Sequence, residues 1–233
     1  MHPAILRYQV LEGEIKHLRT EDTHVHYLEN TKQQQAIAGG TAILQVAMEQ
    51  AVAVNSVQAT AYEGDPVDGF IMEVEGKTVR GSFWRVTFKD GDRVQIIGHE
   101  IAGISEAVAV AKPDERIIWM QPHCERGTQA QRNNLLKCSC WFILFMYFCA
   151  LLISVFSDGP PSLVFVTFTI SIPILLFLTV GMSWGDFMSF AREMNAVGQA
   201  LGLSEPEKTD LFHSTKQARQ GGRPELPLGV YYF

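Results

Sequence analysis

The sequence predicts an α+β membrane protein: a small, mostly antiparallel, barrel-like β domain with one long helix, a two-helix transmembrane hairpin, and C-terminal cytoplasmic helices. Three observations predict it. From Cys138 to Gly185, a window of 48 residues, the only charged side chain is Asp158. Short alternating apolar runs broken by turn residues occupy much of the first 120 residues. Between them, residues 31–57 form one long proline-free stretch of helical pattern.

The 233 residues carry 19 Lys plus Arg against 25 Asp plus Glu. The balance is uneven along the chain. Residues 1–125 hold 11 basic and 18 acidic side chains, a formal charge of −7, whereas residues 126–233 hold 8 and 7, or +1. This composition argues against a disordered chain and, with four cysteines, against a disulfide scaffold. It argues equally against a nucleic-acid binder, because an acidic head repels phosphate instead of releasing its counterions.

Strands are expected at Tyr8–Leu18 and His24–Leu28, then at Phe70–Val74 and Thr78–Phe88 as a hairpin around Glu75-Gly76-Lys77. Lys89-Asp90-Gly91-Asp92 reads as a turn into Arg93–Gly98, followed by strands at Ala107–Ala111 and Arg116–Met120. Such spacing favours a small curled sheet. Over 31–57, Thr41, Gln45 and Glu49 recur every four residues on one narrow polar stripe. That pattern fits an amphipathic helix packed on the sheet, with a membrane-surface or membrane-entering helix as the sharper reading; Glu49 makes spontaneous spanning costly.

Two apolar runs fill the uncharged window: Cys138–Phe156, 19 residues, and Ser162–Trp184, 23 residues. At a rise of 1.5 Å per residue each reaches roughly 28–35 Å, enough for the hydrocarbon layer. Neither has a polar face to show to water, which disfavours a buried pair in a soluble core. The connector 157–161 is a short turn, so the spans are expected antiparallel, with both ends of the chain on one side. Arg126, Arg132 and Lys137 mark the first approach as cytoplasmic, and Trp141 and Trp184 sit near the same interface.

The expected organisation is a cytoplasmic β-rich domain over 1–125, a basic juxtamembrane linker over 126–137, spans over 138–156 and 162–184 around a periplasmic turn, and a cytoplasmic tail over 185–233. The first 30 residues are polar and read as no secretory signal. In the tail, Phe187, Phe190, Met194, Val197 and Leu201 form a stripe that predicts packing on another surface. Ser204-Glu205-Pro206-Glu207 reads as the start of a shorter helix to about Gln220. The aromatic end Leu226–Phe233 has the composition to add a strand to a sheet edge or meet a partner, and the tail is expected to dock back on the head.

Catalytic, cofactor and metal sites are not expected. His24 and His26 would share a strand face, and His17, His99, His123 and Cys124 are the further metal candidates, yet no metal-binding spacing joins them. No phosphate-cradling loop, nucleophile elbow or carboxylate pair in a recognisable frame is present. Neither apolar run holds an Asp, Glu, Lys, Arg or His, so a channel or transporter would require an oligomer. Ile117–Gly127, which contains Pro122-His123-Cys124-Glu125-Arg126-Gly127, reads as a strand, a proline turn and a basic anchor that sets the head's angle above the bilayer.

The initial Gly13-Glu14-Ile15 strand, the Ala/Gly-rich helix, Val79-Arg80-Gly81-Ser82-Phe83-Trp84-Arg85-Val86, Gly91-Asp92-Arg93-Val94, the Ile117–Gly127 segment and the two apolar runs form a recurring set. With them the chain resembles, over nearly its whole length, bacterial membrane proteins labelled type VI secretion system effectors. The resemblance implies an inner-membrane protein of an effector locus, with no active-site residues to carry over. Three roles follow as expectations. The first is a non-enzymatic immunity or accessory protein whose acidic head binds a toxin or its loading partner. The second is a membrane-active, pore-forming or depolarising effector, and the third a membrane scaffold outside secretion. A basic protein partner and the lipid bilayer are the expected contacts, and a homo-oligomer is compatible with all three.

Overall fold

A computed structural model describes residues 8–25, 65–101, 103–156 and 160–233. The helix expected over 31–57, with Thr41, Gln45 and Glu49, lies outside the described residues, as does His26. Eight strands form one sheet: β1 Gln9–Glu14, β2 Lys16–Val25, β3 Asp65–Val74, β4 Lys77–Phe83, β5 Arg93–Ile101, β6 Ile104–Lys112, β7 Ile117–Met120 and β8 Val230–Tyr232. The helices are α1 Thr128–Phe156, α2 Pro161–Leu176, α3 Met182–Ala200 and α4 Leu211–Gln220. A π-turn over Phe177–Gly181 joins α2 to α3, and a 3₁₀ turn at Pro206–Lys208 precedes α4.

The architecture is α+β with a mostly antiparallel sheet, ordered β1-β5-β6-β4-β3-β2. The exception is the short parallel contact of β4 with β6, through Val79↔Ser105 and Arg80↔Glu106. β1 and β2 are one ribbon interrupted only at Ile15. Its first half pairs with β5 and its second with β3, so it bridges the two ends of the sheet and the sheet must curl. Ile15 is fully buried at the bend, where its N–H donates to Asp92 O (3.0 Å) and its carbonyl accepts from Gly91 N (2.9 Å).

Alternation decides which side chains fill the curl. Phe70, Met72 and Val74 point inward with Val79, Phe83, Val94 and Ile96. Phe70, Phe83, Phe88 and Trp119 form a ring cluster with centroids 5.0–6.4 Å apart, and Trp119 Nε1 donates to Thr87 Oγ1 at 3.1 Å. Each such buried side chain stabilises the fold by about 1.5–3 kcal/mol.

A second core covers the sheet's other face. Ile97, Ala109, Ala111, Ile118 and Met120 pack there with Phe190, Met194 and Val197 of α3, Leu211 of α4 and Tyr231 of β8. The tail stripe and the aromatic end therefore dock on the head, and β8 extends the sheet by pairing with β7. β6 is buried on both faces from Ala107 to Ala111, which is why its sequence AVAVA shows no polar alternation.

Among the described residues, one helix, α1, is long and apolar enough to cross a membrane. Only 6% of its most apolar 18-residue window is covered by protein, which separates it from the core helix of a soluble fold. It begins at Thr128, so most of the segment expected as a linker is helical. The second expected span, 162–184, is not one uninterrupted helix. α2 stops at Leu176, and its apolar part, Phe165–Leu176, is shorter than a crossing. Pro173 has no N–H to give the preceding turn, and the helical path widens into the π-turn four residues later. Two-span topology is thus not shown by helix length. α2 does return alongside α1, with Tyr147 Oη 3.4 Å from Thr169 Oγ1.

Other boundaries shift too: β2 runs unbroken across the gap expected between Leu18 and His24, and β3, β5 and β6 are longer than expected. β4 ends at Phe83 instead of Phe88, because Val86 N–H turns to Asp68 Oδ2 at 2.8 Å. The helix expected from Ser204 starts only at Leu211, with Asp210 as the cap that accepts from His213 N (3.1 Å).

Candidate functional site

The segment that follows β7, part of the Ile117–Gly127 motif singled out from the sequence, makes several long-range polar contacts. Gln121 N–H donates to Val108 O at 2.9 Å and Cys124 N–H to Gln121 O at 3.2 Å, which closes a tight turn after Met120. His123 takes a left-handed conformation, φ 69°, that side chains bearing a Cβ rarely adopt. Surrounding contacts hold it there. Its N–H donates to Glu125 Oε1 (3.2 Å), its Nε2 lies 2.9 Å from Asp65 Oδ2, and its ring meets Trp84 edge-on and Phe190 at a tilt.

Glu125 is 7% exposed and is the one acidic or basic residue that is buried among the described residues. It accepts the His123 N–H and the Tyr231 hydroxyl (3.3 Å), while its carbonyl accepts Leu211 N–H (3.0 Å). One residue thus ties β7, β8 and α4 together. Burial, then the neighbouring Glu125 charge, pushes the Tyr231 hydroxyl far above its ordinary range, so it acts as a permanent donor. Cys124 is fully buried, and its thiol is likewise pushed well above its ordinary value by burial and by Glu125. A thiol so placed is a poor nucleophile and a poor metal ligand.

Arg126 donates through Nε to Asp210 Oδ2 at 3.1 Å and lies over the Phe212 ring at 4.7 Å. Gly127 N–H donates to Thr209 O (2.8 Å), and the Gly127 carbonyl accepts Gln131 N–H (2.8 Å) inside α1. A Cβ at Gly127 would stand 2.1 Å from Pro206 O, so only glycine allows this approach. The first turn of α1 is then fixed by Asn195 of α3, whose Oδ1 accepts Thr128 N–H (3.1 Å) and whose Nδ2 donates to Thr128 Oγ1 (2.9 Å).

No protein-family model matches the chain, and neither a curated protein nor a solved structure matches it. The site must therefore be read from its own geometry. Each interaction fixes direction: the junction clamps the start of the membrane-competent helix to the sheet, the C-terminal strand and the tail helices at once.

The other sequence candidates fall around this clamp or away from it. Arg132 and Lys137 are exposed on α1, Trp141 is 72% exposed and Trp184 38%. His17 sits at the β1–β2 bend with φ 54°, and His24 near the far end of β2. Among the described residues, no group of three or more His, Cys, Asp or Glu side chains is placed to hold a metal.

One pair escaped sequence reasoning. His99 of β5 places Nε2 3.7 Å from Glu193 Oε2 of α3, and its ring lies 4.2 Å from that of Tyr8. Burial raises the Glu193 carboxyl to about 7 and lowers His99 below its ordinary value. The available signal was Glu193 and Asn195 flanking Met194 in the apolar stripe, two polar groups on the docking side of a helix.

Proposed function

We propose that this chain is a non-enzymatic inner-membrane protein of a bacterial type VI secretion effector locus, acting as an immunity or accessory component through protein binding. One observation carries the membrane part of this reading. α1 and α2 stand as an antiparallel, apolar and mostly uncovered pair, while the described residues before and after them pack into shared cores. Leu144, Phe148, Leu152 and Phe156 of α1 and Val166, Ile170 and Ile174 of α2 are all more than 40% exposed, a surface that water penalises and lipid accepts.

In this reading α1 crosses outward. The return crossing is shared by α2, the π-turn and the first turns of α3, so that two spans form from three helical pieces. Re-satisfying the backbone near a proline by such adjustments is ordinary inside membranes. Thr169 and Ser171 donate their hydroxyls to the carbonyls of Phe165 and Thr167, which keeps both side chains hydrogen-bonded within the helix. Head and tail then face the cytoplasm together.

The binding role rests on charge and on the resemblance. A formal −7 over residues 1–125 steers a basic partner, such as a nuclease toxin or its loading protein, toward the head. Expression of the full chain alone, once in the cytoplasm and once exported, tests the role. Harmlessness together with rescue from the toxin of a neighbouring gene supports immunity. Growth arrest with loss of membrane potential would instead establish the membrane-active effector, and absence of any effect on such a toxin would leave a scaffold.

A further inference from the structure

The β3–β4 hairpin fixes which way every group on β2 points. Glu75 and Gly76 have φ 51° and 74°, a two-residue turn of type I′, so Val74 and Lys77 flank it as a hydrogen-bonded pair. Counting back along β3, residues 74, 72, 70 and 68 direct their main-chain bonds to β4, and residues 71, 69, 67 and 65 direct theirs to β2. Their partners on β2 are Arg19, Glu21, Thr23 and Val25. Thr20 and Asp22 therefore aim N–H and C=O away from β3. Leu18 confirms the parity, since its N–H leaves the sheet to meet Asp90 Oδ1 at 2.9 Å.

Among the described residues β2 pairs with β3 alone, and Thr20 and Asp22 have no main-chain partner on the outer side. The strand is ten residues long and contains neither proline nor glycine to blunt it. Its charges are also self-complementary. With Thr20 opposite Thr20 in an antiparallel pair, Arg19 of each copy faces Glu21 of the other, twice by symmetry. Shifting the centre to Glu21 sets Glu21 against Glu21, and shifting it to Asp22 sets Asp22 against Asp22; both put like charges face to face.

We infer that β2 is a homodimer edge, at which two copies of this chain add their sheets antiparallel about a two-fold axis through Thr20. The interface is isologous. Thr20 N–H of each copy donates to Thr20 O of the other, and Asp22 N–H donates to Leu18 O, while Leu18 N–H stays with Asp90. Four main-chain bonds and two Arg19–Glu21 pairs set the register. This inference stands apart from the secretion reading, because it uses only the sheet.

The test is the oligomeric state of the purified full chain in nanodiscs or detergent, by native mass spectrometry and light scattering. Wild type is expected to form dimers. Arg19→Glu and Glu21→Arg each weaken the dimer by about tenfold, and the double exchange restores it. Thr20→Pro removes an N–H that β3 does not use, so it abolishes the dimer while melting stays within about 5 °C of wild type. A wild-type monomer at tens of micromolar, a double exchange no better than its singles, or a dimer indifferent to Thr20→Pro with the fold intact would overturn the inference.

Discussion

Asn195 and Thr128 exchange two hydrogen bonds, at 3.1 and 2.9 Å, across 67 residues of chain that include both apolar helices. The residue that opens α1 is thereby held by the helix that follows the return path. This places the base of the outgoing helix against the base of the returning one, on the surface of the same sheet. Removing one partner leaves a helix-start N–H without its acceptor. Asn195→Ala is expected to cost about 1–2 kcal/mol, and Thr128→Val to cost less because it keeps the N–H. Denaturant unfolding of the detergent-solubilised chain, followed by tryptophan fluorescence, measures both. Additive losses in the double variant would show that the two residues are not coupled.

Gly127→Ala is expected to be far worse than a typical surface change. The added methyl would meet Pro206 O at 2.1 Å and Glu207 O at 2.6 Å, both main chain that cannot swing aside. A loss of about 3 kcal/mol or more, seen as release of residues 206–233 to limited proteolysis, is the expected result. Wild-type resistance to the protease would remove Gly127 from the clamp.

The seam between α3 and β5 should respond to pH. Glu193 has its carboxyl raised to about 7 by burial, so the docked state holds a proton that the undocked chain releases near 4.5. Its stabilising contribution is complete below about pH 4.5 and is lost as pH rises through about 7. His99 is shifted the other way: docking favours its neutral form, and that contribution is lost as pH falls through its lowered value. Glu193→Gln should therefore melt above wild type at pH 8, and this advantage should disappear by pH 5. The Glu193 side chain is 35% exposed, which limits the effect at pH 8 to about 1–2 kcal/mol. An equal difference at both pH values would detach it from titration.

Much of the architecture is legible in residue patterns, and the failures have physical causes. Phe70, Met72 and Val74 announce a half-buried strand by alternation, and Phe190, Met194 and Val197 announce a docking helix by spacing. The β6 run AVAVA hides its direction and neighbours, because a strand covered on both faces has no polar row to orient it. The break at 177–181 is legible only in part, since Pro173 announces a lost backbone bond and a kink but not where the helical path widens. Within the clamp, the residues of Pro122–Gly127 are conspicuous as a segment, but Asn195, Asp210 and Tyr231 reach it only through the fold. Their side chains are ordinary, and nothing local in the sequence assigns them a partner 67 to 106 residues away.

Cysteine accessibility in intact cells tests the topology on which the functional reading depends. In a background with the four native cysteines replaced, Pro160→Cys is expected to react with a membrane-impermeant maleimide from the periplasm, because it lies at the far end of the helical pair. Lys216→Cys, exposed on α4 beside the sheet, is expected to react only after the inner membrane is opened. Labelling of Lys216→Cys from the periplasm, or equal labelling of both positions in intact cells, would contradict a chain whose head and tail work together on the cytoplasmic side.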